Sequence, residues 1–214
     1  MPIFAGILAL AIALFAGAAA AEPQNWQLAK DQDGIQIYLT QVPGSGYRGF
    51  RGVTKIRADI PTLSALQENL RVACAWLYGC KQMRLLKNDG DDTWVYLTTD
   101  LPWPAITRDM VLWVHTEQRE DGSLVRQLEA VREGWVPRTP GLIRVSRLQG
   151  VWKMVPRGEA LTEVTYELQA DPAGDIPAWL ANRFVVDAPW ETLRTLRVVA
   201  ERQGPRAAVG RSTR

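Results

Sequence analysis

The sequence predicts an α+β domain, a curved antiparallel sheet with one long helix laid across it. Two observations lead there. Between Ile35 and Ala170, short runs of alternating apolar and polar residues are separated by turns rich in Gly, Pro and Asp, the pattern of antiparallel strands. From Ile176 to Val199 the apolar residues recur instead at helical spacing. A run of strands followed by a segregated helix is the α+β arrangement.

The elements follow in order. Trp26 to Lys30 reads as a lead-in, and Asp31-Gln32-Asp33-Gly34 as a turn. Ile35, Ile37 and Leu39 alternate with polar neighbours in a first strand. Pro43-Gly44-Ser45-Gly46 turns the chain into a second, Tyr47 to Arg57. Asp59 is placed to cap a helix starting near Pro61, with Leu63, Leu66 and Leu70 on one face. That helix is expected to run to Tyr78. Met83 to Lys87 is a strand, and Asn88 to Asp92 an acidic turn without the ligand spacing of a calcium loop. Trp94, Tyr96 and Thr98 mark the next strand, broken by Leu101-Pro102-Trp103-Pro104. Thr107 to Gln118 is long, and Asp121-Gly122 is a hairpin signal returning it through Ser123 to Val131. After the Pro/Gly-rich loop Glu133 to Gly141 come Leu142 to Val155 and Ala160 to Ala170. In the final helix Pro177 suits the first turn, and Pro189 predicts a kink or break near Asp187.

Composition bounds the function. The chain has 214 residues, 47% apolar and 22% charged, as in a globular protein with a sizeable core. The net charge is +2, but without the segment after Ala200 the counts are 21 Lys+Arg and 22 Asp+Glu, about −1. The folded body thus has no basic footprint for nucleic acid. The tail at 202–214, with Arg202, Arg206, Arg211 and Arg214, is expected to be disordered. At the other end, uncharged Ile3 to Ala21 closes on Ala18-Ala19-Ala20-Ala21 before Glu22-Pro23. This is the signal-peptide pattern for 1–21, although its n-region lacks Lys and Arg. An uncleaved membrane anchor is the competing reading. Either way, the domain at 22–201 is expected outside the cytoplasm, periplasmic in a Gram-negative cell. Cys74 and Cys80 fit that compartment as a disulfide, with Gly79 ending the helix between them; two buried thiols are the alternative.

Catalytic and metal signatures are missing. His115 is the sole histidine and sits mid-strand without a nucleophile elbow. With one imidazole and no third thiol, a zinc site is not expected. No phosphate-binding glycine loop opens a helix. No cofactor is expected, and the chain is read as non-enzymatic.

An ordered series of motifs resembles the START family of lipid-transfer domains. It runs through Trp94-Val95-Tyr96, Leu101-Pro102-Trp103-Pro104, Thr107-Arg108-Asp109-Met110-Val111 and Pro140-Gly141-Leu142-Ile143-Arg144-Val145. It continues with Gly150-Val151-Trp152-Lys153-Met154-Val155-Pro156, Thr162-Glu163-Val164-Thr165-Tyr166, Asp171 to Pro177 and Trp179-Leu180-Ala181-Asn182. The resemblance covers Asn25 to Glu201 and is weakest before Lys81. It implies a helix-grip fold, START/Bet v 1-like, with a hydrophobic tunnel for one phospholipid, sterol or sphingolipid. It also implies a lid formed by the last helix and transient contact with a membrane surface, in a monomer. Arg108 and Asp109 match the family's Arg-Asp dipeptide, either as a structural ion pair or as head-group anchors. Five positions after Asp109, where some members carry Arg, stands Val114, so the ligand stays open.

The candidate tunnel walls are Met110, Leu112 and Val114 on the long strand, and Trp179, Leu180 and Phe184, with Arg183, on the helix. Trp76, Tyr96 and Trp152 complete the set; ordinary core packing is the alternative for each. Two other functions stay open. One is an enzyme on the same architecture, akin to polyketide cyclases and aromatases. The other is an interaction module using Trp103 and Trp190.

Overall fold

The computed structural model describes residues 25–204 apart from 103 and 133. The signal-peptide reading of 1–21, Trp103 and most of the expected tail lie outside the described residues. Ten strands and three helices follow in the order β1 (Gln27–Gln32), β2 (Ile35–Gln41), β3 (Arg48–Ile56), α1 (Ile60–Glu68), α2 (Leu70–Ala73), β4 (Cys80–Asp89), β5 (Asp92–Thr99), β6 (Arg108–Gln118), β7 (Leu124–Ala130), β8 (Ile143–Arg144), β9 (Arg147–Pro156), β10 (Thr162–Asp171) and α3 (Ala178–Gln203). One sheet holds all ten strands, in the order β1-β2-β3-β10-β9-β7-β6-β5-β4 with β8 beside β6. Every pairing is antiparallel except the short β6–β8 pair.

Several expectations need correction. The lead-in is a strand, β1, joined to β2 through Asp33 and Gly34, both with positive φ. Two positive φ values in a row make the primed turn that matches strand twist. The early helix does not reach Tyr78. It ends at Glu68, because Asn69 leaves helical geometry and its side chain accepts from Arg71 N to cap the separate turn α2. The stretch Leu142 to Val155 is two strands, β8 and β9. Pro189 does not break the last helix, which runs unbroken to Gln203, two residues into the expected tail. Buried Trp190, Leu193, Leu196 and Ala200 hold the turns beyond the proline against the sheet, and this packing outweighs one lost backbone hydrogen bond.

Cys74 and Cys80 form a disulfide that ties α2 to the start of β4. Gly79, between them, has φ +72, and a Cβ there would lie 2.6 Å from the Asp100 carbonyl oxygen. Only glycine allows this turn.

The core fills the concave side of the sheet. Helix α3 crosses at Gly52, where Leu193 Cδ1 lies 2.6 Å from where a Cβ would stand. Trp76 meets Trp152 edge to face at 6.0 Å, Trp152 stacks on Tyr166 at 3.9 Å, and Tyr166 meets Phe50 at 5.0 Å. This aromatic file closes the middle of the space beneath the helix and stops at Phe50.

Candidate functional site: an apolar cavity at the start of the last helix

Beyond Phe50 the space under α3 is open. Phe50 on β3 and Leu168 and Ala170 on β10 form its floor. Their side chains share the concave face because each is an even number of positions from its inward-facing neighbours. Leu180, Phe184 and Val185 of α3 form the roof, and Ile176, Pro172 and Leu101 close the end. Among the described residues, only Tyr47 and Arg48 bring titratable groups to the lining. The volume is about 140 Å3, near that of cavities that accept a benzene-sized guest. A drug-sized ligand needs roughly 300 Å3 or more. As it stands, the cavity is therefore too small for a whole lipid.

Of the residues singled out from the sequence, Leu180 and Phe184 line this cavity. Trp179 is 60% exposed on the outside of the helix. Arg183 is exposed too and pairs with Asp187 one turn on, at 3.2 Å. Trp76 and Trp152 belong to the aromatic file. Met110 and Leu112 are packed in a second cluster with Val95, Leu97 and Leu148, and Val114 lies at its edge. Trp190, read as a surface residue, is buried.

Asp109 and Tyr96 alternate with that inward set and lie on the opposite face. There Asp109 is 1% exposed and accepts from Arg144 Nε at 2.9 Å, Arg144 Nη2 at 2.8 Å and the Tyr96 hydroxyl at 3.0 Å. The parallel β6–β8 register, which sets Arg144 opposite Asp109, creates this pair. Burial alone would raise the Asp109 carboxyl, but the Arg144 and Tyr96 hydrogen bonds hold it below the usual carboxylate range. Arg144 also donates to the Val136 and Pro137 carbonyls, so the pair fastens the 131–142 loop to the sheet. Trp135 of that loop stacks on Trp94 at 5.1 Å.

Arg108 does not pair with Asp109. Its side chain donates to the carbonyls of Ile106, Pro172 and Ala173, and among the described residues it meets no carboxylate. Burial disfavours its charge, and the guanidinium pKa is lowered. Pro172 lines the cavity, so Arg108 pins the segment that closes it. His115 lies outside the cavity, 2.9 Å from Asp92 and stacked on Trp113.

Among the lining residues not expected from the sequence are Phe50 on β3 and Leu168 and Ala170 on β10. Strand alternation marks them as inward, but only the register that brings Phe50 opposite Leu168 shows that they meet. Ile176 carried a helical signal that did not tell roof from core.

The START-domain family model matches residues 8–208. The chain belongs to the START-domain family. Its helix-grip sheet and C-terminal helix are the START fold. A crystal structure of a STAR-related lipid transfer protein from Xanthomonas axonopodis is 35% identical, covers 82% of this chain and 98% of its own, and superposes with a TM-score of 0.76. An uncharacterised protein of Pseudomonas aeruginosa is 48% identical over 194 residues, 91% of this chain and 96% of the relative. The phosphatidylcholine transfer protein of Rattus norvegicus is 26% identical over 165 residues, 74% of this START chain and 75% of that protein.

Proposed function

We propose that this START domain binds a lipid in the cavity beneath α3 and acts as a carrier or sensor outside the cytoplasm, without catalysis. The observation that carries the reading is the apolar cavity between the first turns of α3 and the β3–β10 floor. A cavity of this chemistry gains about 0.8 kcal/mol for each methylene it buries. Relatives described as lipid transfer and phosphatidylcholine transfer proteins support the same ligand class. On this reading Leu180, Phe184 and the 172–177 segment form a lid that swings from the sheet as an acyl or sterol body enters. Exposed Ile106 and Trp179 supply an apolar rim for transient contact with a membrane surface.

A cyclase-like enzyme needs an acid/base pair beside the substrate. Tyr47 and Arg48 are a poor match, so that alternative is not favoured. Export is supported by the Cys74–Cys80 disulfide, which persists best in an oxidising compartment, and by the signal-like 1–21 segment. Among the described residues, no helix is long and apolar enough to cross a membrane.

The test is to purify the chain, extract it with organic solvent and analyse the extract by mass spectrometry, alongside uptake of fluorescent phospholipid from vesicles. One lipid per chain and saturable uptake are expected. An empty extract together with no uptake overturns the reading. The variant Leu180→Trp, which fills the cavity, should lower uptake about tenfold or more while the fold is kept.

A further inference from the structure

The loop closed by the Cys74–Cys80 disulfide touches two of the segments that enclose the cavity. On one side Tyr78 reaches α3. Its backbone N–H donates to Thr192 Oγ1 at 3.2 Å, and its ring lies 6.0 Å from that of Phe184 in the cavity roof. On the other side the Gly79 carbonyl accepts from the Asp100 N–H at 2.8 Å. Asp100 also pairs with Lys81, the residue after Cys80, at 3.0 Å. The residue that follows Asp100 is Leu101, which closes the end of the cavity. Roof and end wall are thus both fastened to one cross-linked loop.

The roof is the weakly held half of its helix. Pro177, at the N-cap of α3, has no side chain that can accept a bond from the first turn. Pro189 has no N–H to give the Val185 carbonyl, so the helical ladder lacks one rung there. Beyond Pro189, fully buried Leu193, Leu196 and Ala200 seat the helix on the sheet. Before it, Leu180, Phe184 and Val185 lie over the void. Tyr78 meets α3 on both sides of the missing rung, at Phe184 and at Thr192.

We propose that the Cys74–Cys80 disulfide is a redox latch on the cavity: oxidised, it holds roof and end wall together, and reduced by a protein dithiol of the same compartment, it lets them part. Cys74 and Cys80 are only half-buried, which leaves a sulfur open to attack. A thiolate of the reductant attacks one sulfur, forming a mixed disulfide and releasing the other cysteine. The second thiol of the reductant then displaces the first. Two electrons and two protons pass to the chain, which ends with two thiols, and the reductant ends as a disulfide. The released loop regains the freedom that the cross-link removed. Tyr78 then has no fixed seat from which to brace Phe184. The inference goes beyond the lipid-binding reading and does not depend on it, because the latch governs the opening of the cavity whatever enters.

The test uses the full chain, oxidised and after treatment with dithiothreitol, with free thiols counted by alkylation and mass spectrometry. Amide hydrogen exchange is followed together with uptake of fluorescent phosphatidylcholine from vesicles. Reduction should speed exchange in 98–102 and 178–187 about tenfold and leave β7 and β9 within about twofold. Uptake should become about tenfold faster. Cys74→Ser with Cys80→Ser should show the fast values with or without dithiothreitol. Tyr78→Ala should loosen 178–187 with the disulfide intact, so a test remains if the double variant does not fold. Faster exchange in the two segments with no uptake in either state supports the latch and removes the lipid-binding reading. Three results overturn the latch: a disulfide that dithiothreitol does not reduce, full reduction with exchange unchanged, or exchange that rises equally in β7 and β9.

Discussion

Asp109 and Arg144 show how one residue pair can belong to a fold and not to its ligand. The carboxylate and guanidinium are both nearly buried, and each completes the other's hydrogen bonds. Removing one partner of such a pair leaves an uncompensated buried charge. Asp109→Ala is therefore expected to cost about 3–5 kcal/mol in denaturant unfolding. Lipid affinity, measured on the molecules that remain folded, should stay within about twofold, because the pair lies on the far face of the sheet. Loss of binding without loss of stability would instead restore Asp109 as a head-group anchor. The pair also sets an acid limit. Asp109 has a folded pKa below its unfolded value of about 3.9. Its contribution is full above the unfolded value and is lost as pH falls through the folded one. Unfolding midpoints measured from pH 6 downward should drop below about pH 4, less so in Asp109→Ala. Arg108 acts differently. Its bonds to the Pro172 and Ala173 carbonyls hold one wall of the cavity. Arg108→Met should raise amide hydrogen exchange in the 172–177 segment before it changes exchange in β9 or β7.

Among the elements, two close contacts decide geometry. Helix α3 can approach the sheet at Gly52 because Leu193 occupies the space of the missing side chain. Gly52→Ala forces that fully buried leucine to move, at an expected cost of about 1–3 kcal/mol by thermal unfolding. The 74–80 loop is fastened twice, by its disulfide and by Tyr78, whose backbone N–H donates to Thr192 Oγ1 and whose ring lies 6.0 Å from that of Phe184. Cys74→Ser with Cys80→Ser should lower stability by about 2 kcal/mol, the entropy of closing so short a loop. The strand and helix order was readable from period and turn chemistry, because alternation of two and spacing of 3.6 are backbone properties. The break at Asn69 and the unbroken passage through Pro189 were not. The first depends on a side chain choosing to cap a new turn. The second depends on sheet contacts far away in sequence.

For the whole molecule, a sheet curved around a helix encloses more volume than the aromatic file fills. Trp76, Trp152, Tyr166 and Phe50 take the middle, and the apolar cavity is what remains at one end. A ligand bound only by the folded form stabilises it by mass action. Adding phosphatidylcholine at about 100 times its dissociation constant should therefore raise stability by about 2.7 kcal/mol, read as an increased Tm. The effect should vanish in Leu180→Trp. The family and the α+β succession of strands and a closing helix were legible from the chain. The choice of wall was not. Leu180 and Phe184 were named with Trp179 and Arg183 from the same helix, and only the packing shows which of the four face the cavity. Phe50, Leu168 and Ala170 could not be named, since β3 and β10 lie more than a hundred residues apart and meet only in the sheet.

By itself, the sequence determined the α+β order, the long closing helix, the hairpin turns and membership of a lipid-transfer family. Each of these rests on local backbone preference or on a motif read along the chain. The tertiary structure alone decided which apolar side chains became solid core and which bordered a void. It also decided that Asp109 would meet Arg144 and not Arg108. Register and packing bring distant residues to one place, and neither is written in the periodicity of any single segment.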